Sequence, residues 1–160
     1  MLPRTRVRLV DVPVPLFCAA EQHTADLLRE IALMAAARPD DGHLFTDILA
    51  AAETYAQRPA AIRNRIAETV SLAQRQGRDS VSVEFDADAN DADGVLAWEE
   101  LLQRFDVLSR DERLLTLPAG PELAAFRAWC VSELVEQVRT GREPVPWHRA
   151  RIRPLAGAGF

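Results

Sequence analysis

The sequence predicts a mainly α domain: a five-helix, bundle-like unit carrying a small sheet of two or three strands. Three observations lead there. In five separate stretches apolar residues recur every three or four positions, the spacing that lines them along one helix face. Proline and glycine punctuate those stretches where helices start and stop. One segment, residues 80–85, instead alternates cleanly, with Val81, Val83 and Phe85 on one side. A strand alone would leave its backbone donors and acceptors unpaired, so it needs a partner.

In chain order, residues 6–10 alternate as a short half-buried strand would, with Val7 and Leu9 on the apolar side. Pro13 and Pro15 are expected to end any ladder there, with Pro15 opening the first helix. Leu16, Ala20, His23, Leu27, Ile31 and Met34 form its stripe as far as about Ala37. Residues 38–42 read as a turn. The second helix spans about 43–57, with Phe45, Ile48, Leu49, Ala52 and Tyr55 on one face. Pro59 starts the third, whose stripe is Ile62, Ile66, Val70 and Ala73, and Gly77 stops it. The links between these helices are short, which favours antiparallel packing.

The candidate partners for the strand at 80–85 are 6–10 and 115–117. A fourth helix begins near Ala92 and turns Val95, Trp98, Leu101, Leu102, Phe105 and Leu108 inward. Ser109 and Glu112 match a capping box, which predicts a separate short turn starting there. The fifth helix has the strongest boundaries: Gly120 as N-cap, Pro121 first inside, and Gly141 closing it in a left-handed conformation. Leu123, Phe126, Cys130, Leu134 and Val138 are its stripe. Pro144 and Pro146 block continuation, and Trp147 then offers a large apolar anchor. Residues 1–152 are expected to form one domain, and 153–160, without periodicity, a flexible tail.

Composition narrows the chemistry. A chain of 160 residues can bury roughly 70% of the surface its unfolded form exposes. All of its Lys+Arg residues are arginine, so lysine Schiff-base chemistry and a phosphate-loop lysine are excluded; with the abundant alanine this reads as a bias towards GC-rich codons. The net charge of −5 does not favour nucleic acid as a partner. Cys18 and Cys130 stand far apart among apolar residues and read as buried free thiols. Residues 1–14 carry four charges and no apolar h-region, and no run reaches the ~20 apolar residues of a membrane span. A cytoplasmic location without membrane association is the expectation.

Residues 86–94 invite a calcium reading, with Asp86, Asp88 and Asn90 at loop positions one, three and five. Position six is then Asp91 instead of glycine and position twelve is Ala97 instead of glutamate. Helix capping accounts for these side chains better. His23, His43 and His148 show no zinc-ligand spacing, so neither metal nor cofactor is expected, although His23 with Asp26 or Glu30 is a conceivable pairing. Hydrolase elbows, Gly-rich phosphate loops and dinucleotide fingerprints are absent from the sequence. No catalytic residue is assigned.

Two patches point to partners. One is the arginine cluster Arg139, Arg142, Arg149, Arg151 and Arg153 around Trp147. The other is the segment 79–112, which holds eleven carboxylates against two arginines. Opposite patches on one molecule favour contacts with a protein or with a second copy. Arg139, Arg142, Trp147, Arg149 and Arg151 are the partner-binding candidates. A ligand site between helices would be lined by His23, Tyr55, Trp98 and Trp129.

The segments Val12-Pro13-Val14-Pro15, His23 with Leu27-Leu28-Arg29-Glu30, Leu114-Leu115-Thr116-Leu117, Phe126-Arg127-x-Trp129, Gln137 and Pro144-x-Pro146-Trp147 together give the chain a resemblance. They resemble an actinobacterial domain that accompanies partner-switching regulators, the anti-sigma kinases and anti-sigma-antagonist domains. The resemblance implies a regulatory or sensory module and brings no site residues with it. The chain has no ATP-binding signature, so kinase activity does not carry over. The leading expectation is a non-catalytic regulatory module acting through protein contacts; a small-molecule or metal sensor is the alternative, and a helical-bundle enzyme the third.

Overall fold

A computed structural model describes residues 2–37, 43–57 and 60–150, with backbone alone at 43–44 and 55–57. The expected helices are present: α1 (Val14–Ala37), α2 (His43–Gln57), α3 (Ala60–Arg75), α4 (Ala89–Arg110) and α5 (Pro121–Thr140), followed by one short turn, α6 (Trp147–Ala150). Strands β1 (Thr5–Pro13) and β2 (Ser80–Ala87) pair antiparallel. The fold is mainly α with a small sheet. The expected tail, residues 153–160, lies outside the described residues.

β1 runs further than expected, through Pro13. The reason is a bulge. Leu9 faces Val83 and Val12 faces Val81, so β1 carries one more residue than β2 over this step. Asp11 supplies the turn of the backbone at φ 58°, a left-handed conformation that Asp tolerates better than most residues. The inserted residue also switches which side chains point inward. Val7 and Leu9 are buried before it, Val12 and Val14 after it. Both sets therefore reach the same core.

On the edge of β1 away from β2, no third strand is present among the described residues. Gln137 of α5 takes that place: its Oε1 accepts from the Arg8 N–H and its Nε2 donates to the Arg8 carbonyl, both at 2.9 Å. A side-chain amide here reproduces one step of a ladder, and so blunts an exposed edge. The segment 115–117, a candidate strand from the sequence, is not in the sheet. Its N–H groups at Leu115 and Thr116 donate to the Glu30 carboxylate on α1 instead.

The helix boundaries follow from local chemistry. Asp88 caps α4, accepting from the N–H groups of Asn90 and Asp91 while the Asp91 carboxylate accepts from the Asp88 N–H. This reciprocal box starts the helix three residues before the expected Ala92 and occupies Asp88, one of the carboxylates that matched a calcium loop. At the other end, Ser109 to Glu112 finishes α4 where a new turn was expected. The Asp111 and Glu112 N–H groups donate back to Val107 and Ser109, and Glu112 lies at φ 56°. α5 closes at Gly141, whose φ of 67° suits glycine.

Two apolar clusters make up the core. The larger one joins the inward residues of the sheet to α3, the first turns of α1 and α4, and α5. The second joins Leu27 and Ile31 of α1, Phe45, Ile48 and Ala52 of α2, Leu101, Leu102 and Phe105 of α4, and Leu114. Trp147 seals the first. Its ring meets Phe126 edge-on at 5.5 Å and Trp129 at 5.6 Å, and the Trp129 indole N–H donates to the Val145 carbonyl at 2.9 Å. Trp147→Ala is expected to lower unfolding stability by roughly 3–5 kcal/mol, as for other buried aromatic truncations, read from the urea midpoint.

Candidate functional site

Two places gather polar chemistry with accessible space. The first is a surface groove along α1, closed by the segment 114–118. Glu30 holds that segment with both carboxylate oxygens, one to the Leu115 N–H and one to the Thr116 N–H at 2.7 Å. Two turns earlier, His23 Nε2 lies 2.8 Å from the Leu117 carbonyl. Because a carbonyl only accepts, Nε2 must carry a proton, which fixes that position in the neutral ring. Asp26 pairs with Arg29 at 3.0 Å on the same face.

These bonds anchor a segment whose apolar side chains point outward. Leu115 is 93% exposed and Leu117 79%, and Leu33 of α1 beside them is 64% exposed. All three line one groove with Pro118. Partial desolvation pushes the Glu30 carboxyl up, but the N–H donors at Leu115 and Thr116 and the Thr116 hydroxyl outweigh it and leave it below the usual carboxylate range.

The second place is a half-open pocket between the elements. A cavity of about 140 Å³ lies among α1, α3, α4, α5 and the sheet. Most of its wall is apolar, with Phe17, Ile66, Phe85 and Val131 contributing, while Glu21, Thr24, Arg63, Glu99 and Arg127 make it polar on one side. Arg127 of α5 is buried. Its Nη2 donates to Asp106 at 2.7 Å and its Nε lies 3.5 Å from Glu99, but neither Nε nor Nη1 has a hydrogen-bond partner among the described residues. Asp106 also accepts from the Ala119 N–H at 2.9 Å, so this cluster ties α4 to the start of α5. Burial raises the Glu99 carboxyl above its ordinary range, with the Arg127 charge and the Gln103 amide opposing. The Arg63 guanidinium lies over the Trp98 ring at 5.6 Å.

The ligand-site candidates from the sequence do not converge. His23 lines the surface groove, Trp98 the half-open pocket, and Trp129 belongs to the aromatic cluster around Trp147. The Tyr55 side chain lies outside the described residues. The partner-site candidates separate too. Arg139 pairs with Asp93 at 2.7 Å, Arg142 pairs with Glu133, and Trp147 is buried, so its indole offers no surface to a partner. Arg149 is exposed on α6, and Arg151 lies outside the described residues.

Cys18 and Cys130 are free thiols. Burial, with the Glu99 and Glu133 charges behind it, pushes the Cys130 thiol up, which makes a poor nucleophile at neutral pH. No group of three His, Cys, Asp or Glu side chains converges as metal ligands do among the described residues, and no described helix is long and apolar enough to cross a membrane.

Sequence patterning passed over Arg127, Glu99 and Asp106 for a simple reason. Charged residues on a helix are read as its solvated face, and only the crossing of α4 with α5 turns these three inward. Comparison with protein-family models, curated proteins and solved structures finds no match for this chain.

Two outcomes follow. Arg127→Met leaves Asp106 and Glu99 buried without their cation, and is expected to cost about 3–5 kcal/mol in chemical denaturation, as when one partner of a buried pair is removed. Glu30 has a depressed carboxyl, so its contribution to stability is present above the ordinary value of 4.5 and disappears as pH falls through the lower folded value. Glu30→Gln is expected to flatten that acid-side loss. It should also speed amide exchange at Leu115 and Thr116, with α5 unaffected.

Proposed function

We propose that this chain is a protein-interaction module with a regulatory role, and that its contact surface is the ridge formed by Leu33, Leu115 and Leu117. The observation that supports this reading is the way the ridge is held. Exposed leucines are ordinary when scattered singly, but three lining one groove form a patch of the kind that marks contact sites. The loop that carries two of them is fixed at three points, by both Glu30 oxygens and by His23. A fixed apolar loop loses less conformational entropy on binding than a mobile one. The resemblance to domains that accompany partner-switching regulators agrees with this reading and gives the class of partner to try first.

The ridge replaces the arginine cluster as the proposed contact surface, because two of those arginines already have acidic partners and Trp147 is in the core. The test is photocrosslinking in the native host, with a photoreactive residue placed at Leu115, at Leu117, and at exposed Ala125 on α5 as the control. One recurring adduct at 115 and 117 but not at 125 is expected, and Leu33→Asp should remove it. Its mass separates a partner protein from a second copy of the chain. Absence of any discrete adduct, together with a monomer at high concentration by light scattering, overturns the proposal.

A further inference from the structure

Backbone pairing in the sheet leaves the outer edge of β2 open. Opposite residues of an antiparallel pair either exchange both hydrogen bonds or turn both groups away from each other. Arg8 faces Glu84, and the Arg8 N–H and carbonyl are both bonded to Gln137 on the far side. Glu84 therefore turns its own N–H and carbonyl away from β1. Successive residues alternate, so Ser82 and Asp86 turn theirs outward too. The start of β2 agrees, because the Asp79 carbonyl points to the β1 side and accepts there from the Val14 N–H at 2.9 Å. Arg4 Nη2 donates to the Asp86 carbonyl at 3.1 Å. The backbone groups of Ser82 and Glu84 have no partner among the described residues, and both residues are exposed.

We propose that this edge pairs with β2 of a second copy of the chain, antiparallel about a two-fold axis at Val83. That register sets Ser82 opposite the partner's Glu84 and Ser80 opposite the partner's Asp86. Ser82 and Glu84 both turn their N–H and carbonyl outward, so each such pair exchanges two hydrogen bonds. Serine meets carboxylate throughout, and no carboxylate faces another; this self-complementary order is what favours a copy over a foreign strand. A shift of two residues one way sets Glu84 against itself, and like charges directly opposite are destabilising. The other shift carries Asp86 past the start of β2. Arg8 and Arg6 hold Glu84 and Asp86 at 2.9 and 3.0 Å, which reduces the charge the edge presents. Proteins guard a strand edge with proline, a bulge or a cover. β1 has Pro13, the bulge and Gln137, whereas β2 has none of these. Joining β2 to β2 therefore gives a four-stranded sheet whose outer strands are both blunted, so the assembly closes as a dimer instead of growing.

The experiment is amide hydrogen exchange of the full chain from micromolar to millimolar concentration, with sedimentation equilibrium on the same samples. A weak dimer is expected, with exchange at the Ser82 and Glu84 amides slowing about ten-fold or more as it forms. The Leu115 and Thr116 amides of the ridge should not change. Ser82→Arg sets a cation opposite the partner's Glu84 and is expected to tighten the dimer. Ser82→Glu sets like charges there and is expected to loosen it. Each change should be roughly two- to thirty-fold, because two such cross-strand pairs form per dimer. Both variants lose the hydroxyl that accepts from the Asp11 N–H, so a purely structural role for Ser82 would move them together. Glu84→Pro removes an outward N–H and leaves the β1 ladder bonds in place, so a monomer is expected. If that variant does not fold, the two Ser82 variants still decide. A monomer at every concentration overturns the proposal, including one whose edge is occupied by a strand of another protein. So does a dimer in which the Ser82 and Glu84 amides exchange as in the monomer, or one that both Ser82 variants shift in the same direction. Leu33→Asp is expected to leave this dimer intact and Ser82→Glu to leave the ridge adduct, so the two proposals fail separately.

Discussion

Glu133 is 2% exposed, and a carboxylate can occupy such a place only if hydrogen bonds replace the water it gives up. It has three donors: the Arg142 guanidinium, the Val145 N–H at 2.9 Å and the Gln137 amide at 3.0 Å. Gln137 passes the connection on to both backbone groups of Arg8. One face of α5 is thereby bonded to β1 and to the segment that delivers Trp147. Among the described residues the sheet has two strands, so without this attachment β1 would present a free edge. The aromatic contact of Trp147 with Phe126 and Trp129 depends on the same geometry, since Val145 is fixed to Glu133 on one side and to the Trp129 indole on the other.

A second buried polar cluster, Arg127 with Asp106 and Glu99, does comparable work where α4 crosses α5, but with a different balance. Glu133 has its acceptor capacity met. Arg127 does not have its donor capacity met, and it adjoins a cavity. Buried ion pairs are weak contributors to stability compared with well-packed apolar residues of similar size, though removing one partner is costly. The cluster ties two helices together at the cost of two buried guanidinium N–H groups without a hydrogen-bond partner among the described residues. The apolar ridge outside follows the same logic in reverse, with polar anchors used to keep leucines in water.

Both sites sit on α1 and share its amphipathic pattern. His23, Asp26 and Glu30 face the groove, whereas Phe17, Ala20, Glu21 and Thr24 face the cavity. Turning one helix towards two different neighbours allows an outer surface and a half-open pocket to be built from one element.

The sequence by itself determined the five principal helices and the strand at 80–85, because hydrophobic period, proline starts and glycine stops are local properties. It also determined the start and stop of α5, where Gly120, Pro121 and Gly141 act within a turn of themselves. What it could not determine involved residues far apart in the chain. The bulge at Asp11 switches the buried face of β1, and its effect shows only once Val81 and Val83 are in register. The third-strand candidate at 115–117 went to Glu30, about 85 residues away, and the apparent capping box at Ser109 became a helix end. Arg127, Glu99, Glu133 and Gln137 read as polar helix positions until the packing of α5 against α4 and β1 buries them. Local periodicity decides which segments become helices; only tertiary contact decides which of their polar side chains must find partners inside.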